Sequence, residues 1–90
     1  MIFKPSTRND KRLMVQFSNG VVVHFGAKSG QTYIDHGDKL KRKNYIARHG
    51  VLEKWTDPYK ASTLSRYLLW GDSTDFEKNH QSYMKMFNIS

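Results

Sequence analysis

Ninety residues suffice for one small domain and leave no room for separate catalytic and regulatory units. Hydrophobic residues make up 38% and aromatic residues 13%, enough rings to fill a small core, which rules out a disordered tail. The lack of cysteine excludes disulfides, thiolate zinc sites and thiol nucleophiles, while 15 Lys+Arg against eight Asp+Glu give a +7 surface that seeks nucleic acid, acidic protein or anionic lipid.

Residues 1–11 mix Lys4, Pro5, Ser6, Thr7, Arg8 and Asn9 without periodicity and are expected to form an arm, with one α+β domain over 12–90. From Arg12 to Gly26 the pattern predicts a β-hairpin. A three-residue turn, Ser18-Asn19-Gly20 with Gly20 left-handed, opposes Phe17 to Val21, Val15 to Val23 and Leu13 to Phe25. A two-residue Asn-Gly loop would put the two apolar sets on opposite faces, so the longer turn is preferred. One such hairpin is not stable alone, and two or three helices are expected against its apolar face.

Residues 27–37 read as loop, with Tyr33 and Ile34 offering a short strand. Asp38 is the expected N-cap of a helix over Lys39–His49 closed by Gly50, with Leu40, Ile46 and Ala47 facing the core. Asp57-Pro58 marks a second helix start, whose helix contains Leu64, Tyr67 and Leu68 and stops at Gly71. Thr74-Asp75-Phe76-Glu77 reads as a capping box opening a third helix, Asp75–Phe87. The charge is uneven: residues 1–70 carry thirteen basic and five acidic residues, residues 71–90 two and three.

Lys39, Lys41, Arg42, Lys43 and Arg48 fall within ten residues that hold no acid, and they form the candidate anion- or partner-binding site. Arg42 and Lys43 are both expected to be exposed. Tyr33, Tyr45, Trp55, Tyr59, Tyr67 and Trp70 interleave with this charge. Core or interface packing is preferred for these rings over base stacking. The four histidines, 24, 36, 49 and 80, lack metal-ligand spacing. Ser62, Ser65, His49 and Asp57 supply the residue types of a hydrolytic triad without a nucleophile elbow. Gly26-Ala27-Lys28-Ser29-Gly30 lacks the spacing of a phosphate-cradling loop. No enzyme, cofactor, metal or small-molecule substrate is expected. The longest apolar runs, Val21–Val23 and Tyr67–Trp70, are too short to span a bilayer, so no membrane insertion is expected. The N-terminus lacks a hydrophobic signal region, so the chain is expected to stay where it is made.

Several stretches together, in this order, carry a resemblance. They are Val23-His24-Phe25-Gly26, Asp35-His36-Gly37-Asp38, Lys41-Arg42-Lys43 and Tyr45-Ile46-Ala47-Arg48-His49, then Glu53-Lys54-Trp55-Thr56-Asp57 and Leu64-Ser65-Arg66-Tyr67-Leu68-Leu69-Trp70. Over roughly residues 12–88 the chain resembles a family of small basic proteins of unknown function encoded largely by nucleocytoplasmic large DNA viruses. The resemblance implies a small abundant protein of a virus that assembles in infected cytoplasm. The expectation is therefore a minor capsid or other virion component whose basic helix faces acidic virion proteins or packaged genome. The alternative is a module that binds viral DNA through the same helix.

Overall fold

The sheet begins earlier than the sequence pattern predicts. In the computed structural model, which describes residues 1–90, three strands lie in the order β1 (Ile2–Pro5), β2 (Lys11–Gln16) and β3 (Val22–Ala27), all antiparallel. The expected arm over residues 1–11 is thus corrected to an edge strand and its connecting turn. Phe3 pairs with Val15, and its ring meets Phe25, Phe76 and His80 edge-on at centroid distances of 6.2, 5.0 and 4.8 Å. Those aromatic contacts, made to residues far along the chain, anchor four residues too short to show a period of their own. Pro5 ends the strand at the sheet edge, where its missing N–H matters least.

The hairpin has the expected register: Leu13 opposes Phe25 and Val15 opposes Val23. The Phe17 N–H donates to the Val21 carbonyl at 2.8 Å, and the Gly20 N–H donates to the Phe17 carbonyl at 2.9 Å. Gly20 has φ +89°, a conformation that a side chain would strain. Val15, Phe17 and Phe25 are consequently buried together, and each such side chain contributes about 1.5–3 kcal/mol by leaving water.

Their cover comes from the C-terminal half, giving an α+β fold. Helix α1 (Tyr33–His36) is one turn and α2 (Lys39–Gly50) three turns, while α3 (Ala61–Leu64) runs directly into a π turn over Ser65–Leu69 and α4 (Phe76–Phe87) closes the chain. The sheet packs against Leu64, Leu68, Leu69 and Tyr83, all fully buried. The Trp70 N–H reaches back five residues to the Ser65 carbonyl at 3.0 Å. Leu68 and Leu69 within this wider turn both face inward.

Several local expectations are corrected. Tyr33-Ile34 is helical, not a strand, because the Asp35 carboxylate reaches back to the Thr32 N–H and hydroxyl, both at 2.8 Å, and holds a helical turn. Gly50 does not close α2; it stays helical, and Val51 follows it in the same conformation. Asp57-Pro58 forms a turn in which the Asp57 carboxylate accepts the Tyr59 N–H at 2.9 Å, and the helix starts later, at Ala61. Asp75, not Thr74, caps α4 by accepting the Glu77 and Lys78 N–H groups.

Near the end of the π turn, Gly71 is enforced by space, since a Cβ there would lie 2.3 Å from the Tyr67 carbonyl oxygen and 2.7 Å from Asn79 Cγ. The buried Asn79 ties α4 to this corner. Its amide donates to the Leu68 and Ser73 carbonyls at 3.1 and 2.8 Å, and its oxygen accepts the Ser73 N–H at 3.1 Å.

Candidate functional site

Helix α2 forms because Asp38 accepts the Leu40 and Lys41 N–H groups at 3.0 and 3.1 Å, while Arg48 and His49 suit its C-terminal end. The helix buries no residue. Leu40 is 66% exposed and Ala47 is exposed, so of the three residues expected in the core only Ile46 is even half-buried. The helix is held instead by an aromatic stack and an arginine fork. The Tyr45 ring lies parallel to Trp70, 4.3 Å away at 3°, and His49 covers its other side at 4.3 Å and 33°. Burial pushes the Tyr45 hydroxyl above the usual phenol range.

Arg42 is the fork, and its expected exposure is corrected. Its Nε donates to the Trp70 and Gly71 carbonyls at 3.2 and 2.9 Å, and Nη2 pairs with Asp72 at 2.7 Å. Arg66 joins it, donating through Nη1 to the Trp70 carbonyl at 3.0 Å while its guanidinium lies over Trp55 and Tyr67. Burial, then the charge of Arg42, pulls the Arg66 pKa below the ordinary guanidinium value. Two cations thus satisfy carbonyls where the π turn ends. Arg42 belongs to the fold rather than to a binding face.

The remaining four sequence-predicted cations, Lys39, Lys41, Lys43 and Arg48, are exposed. None has a carboxylate partner; the ion pairs are Arg8–Asp10, Arg12–Asp35 and Arg42–Asp72, while His80 Nδ1 lies 3.6 Å from a Glu77 carboxylate oxygen. The acids that precede residue 71 are engaged elsewhere. Asp10 and Asp35 pair with arginines, Asp38 caps α2, Glu53 accepts from Ser62 and Asp57 holds a turn. The four cations also divide by face. At 100° per residue Lys41, Asn44 and Arg48 lie within about 60° of one another, while Lys39 and Lys43 sit roughly 100–180° away around the helix.

The flank carrying Lys41, Asn44 and Arg48 borders an open groove of about 340 Å³, whose other walls are Gln31, His36 and Trp70. A second cleft of about 280 Å³ adjoins it and shares Gln31, Arg48 and Trp70. His36 Nδ1 accepts the Asp38 N–H at 2.9 Å, which leaves the ring proton on Nε2, a buried atom without a hydrogen-bond partner. Sequence reading found the cations but not Gln31, Asn44 or His36, because nothing local marks polar residues that meet only after folding.

No three His, Asp or Glu side chains converge as metal ligands would. Ser62, Ser65, His49 and Asp57 are joined by no hydrogen bond; Ser62 donates to Glu53 and Asp57 accepts the Tyr59 N–H. The largest cavity, about 400 Å³ between Phe17, Tyr59 and residues 88–90, has no charged side chain in its wall. No helix is long and apolar enough to cross a membrane.

A family model described as a family of unknown function, DUF5754, matches residues 1–49, more than half of the 90. The chain belongs to that family. The matched segment contains the sheet, α1 and all but the last residue of α2, and so includes residues 1–11 and five of the six groove residues. Only Trp70 comes from outside it. No curated protein and no solved structure matches the chain.

Proposed function

We propose that this protein is a non-enzymatic polyanion-binding module that engages the phosphate backbone of nucleic acid through α2. The carrying observation is that Lys39, Lys41, Lys43 and Arg48 are exposed on one short helix and none of them forms an ion pair with a carboxylate. Solvated lysines gain little from a single anion, but several on a rigid helix meet closely spaced phosphates and release condensed counterions. Such contacts position a strand without reading its bases.

Val51 and Leu52, 81% and 86% exposed at the end of the same helix, favour a second role. An apolar pair beside cations suits contact with an acidic protein. In that role the chain is a minor capsid component of a large DNA virus, acting in the virion and in the host cytoplasm during assembly.

Fluorescence anisotropy with labelled duplex and single-stranded oligonucleotides at low salt tests the first role. Micromolar binding is expected, lost when Lys39, Lys41, Lys43 and Arg48 are all changed to Ala. Absence of binding, or binding unaffected by those four changes, overturns it. Purified virions tested by mass spectrometry decide the second role: a stoichiometric amount supports it and absence removes it.

A further inference from the structure

The groove differs from the rest of the cationic surface in combining charge, amide groups and an aromatic platform. Lys41 and Arg48 stand on one wall with Asn44 between them, Gln31 and His36 form the facing wall, and Trp70 completes the lining. Trp70 ends a column of rings that runs His49, Tyr45, Trp70. Away from Tyr45 the indole has no parallel neighbour, since His36 meets it at 62° and 5.4 Å, edge-on. The Trp70 backbone is held firmly, its carbonyl gripped by two arginines and its N–H bonded into the π turn, and the indole is positioned by its stack on Tyr45. A fixed aromatic ring beside two unpaired cations is the arrangement that binds a stacked base together with its phosphates.

Paired bases in a duplex present edges in grooves, not faces. A ring can extend the His49–Tyr45–Trp70 column only when its own face is free, so this arrangement favours an unpaired strand. Gln31 and Asn44, both exposed, bring amide donors and acceptors to the edge of such a base. On the polyanion-binding role proposed above, and deepening it, we infer that the groove seats a nucleotide of a single-stranded polynucleotide, its base on Trp70 and its flanking phosphates at Lys41 and Arg48. Lys39 and Lys43, on the other flank of α2, add attraction without touching that nucleotide.

The test compares labelled oligo(dT) and oligo(U) of about 12 nucleotides, within the usual span of a single-strand site, with a duplex of equal charge. Either single strand is expected to bind roughly tenfold tighter than the duplex, with quenching of tryptophan fluorescence. Trp70→Leu is expected to weaken single-strand binding roughly 5- to 100-fold and duplex binding by a much smaller factor. Because Trp70→Leu also loosens α2, Gln31→Ala with Asn44→Ala gives a second arm: these exposed residues make no contact the fold needs, and their loss should weaken only the single strand. Equal affinity for duplex and single strand, with neither variant selective, overturns the groove proposal while leaving the cationic face intact. If neither nucleic acid binds at low salt, the polyanion-binding role fails and takes the groove proposal with it.

Discussion

Arg42→Lys keeps the charge of α2 and is nevertheless expected to destabilise the fold. A single ammonium cannot place one donor on the Trp70 and Gly71 carbonyls and another on Asp72. The expected loss is about 1.5–3 kcal/mol, read from the urea midpoint, and an unchanged midpoint would show that the fork does not hold α2. Arg12 and Asp35 act as a second clamp, from β2 to α1, through two bonds of 2.7 and 2.8 Å. The Arg12 guanidinium, aided by the Thr32 N–H and hydroxyl, holds the Asp35 carboxyl far below the usual carboxylate range. A carboxyl depressed in the folded state stabilises the fold above its unfolded pKa of about 4 and loses that contribution as pH falls toward the native value. Acid titration of wild type should therefore show stability declining below about pH 4, and Asp35→Asn should remove part of that decline. Since the pair is about one-third exposed, the substitution is expected to cost only about 1 kcal/mol at neutral pH. Identical acid profiles for the two proteins would contradict this. Gly71→Ala should be worse than either, by about 3 kcal/mol or more in thermal or urea unfolding, because the new methyl meets backbone and a buried Asn79 that cannot yield.

At the scale of elements, β1 depends on one ring. Phe3→Ala is expected to cost about 2–3 kcal/mol, less than a fully buried phenylalanine because Phe3 is only half-buried. Hydrogen exchange should then show the amides joining β1 to β2 losing protection while the β2–β3 amides keep theirs; uniform loss would mean that the sheet opens as one unit. The hairpin was legible in the sequence because Leu13, Val15, Phe17, Val21, Val23 and Phe25 fit one face under only one turn length. β1 was not, since Ile2-Phe3-Lys4-Pro5 gives a single alternation and its reason for pairing lies on α4. The π turn was hidden for a different cause: the pattern over Leu64–Trp70 reads as regular helix, and the wider turn shows only in the Trp70 N–H bond to the Ser65 carbonyl. Helix starts were read through their capping carboxylates, and correctly at Asp38, whereas Asp57 capped only a turn. A carboxylate followed by helix-compatible residues looks the same in both cases until tertiary contacts decide.

Across the whole molecule, cations were easy to find and their roles were not. Five basic residues on α2 looked equivalent in sequence, yet Arg42 is engaged by carbonyls more than twenty residues away while Lys41 and Arg48 border a groove completed by Gln31, His36 and Trp70. Charge density is visible in composition; which charges remain free depends on where the carboxylates and carbonyls come to lie. If the four free cations of α2 meet phosphates, binding must weaken steeply as salt rises. Titrating a labelled oligonucleotide at several salt concentrations should give a log–log slope of about −2 to −3.6, from three or four contacts at roughly 0.7–0.9 each. Lys41→Ala with Arg48→Ala should reduce the slope's magnitude by about 1.4–1.8 while leaving the fold unchanged. A slope near zero, or one that the double substitution leaves as it was, would mean that α2 does not meet phosphates.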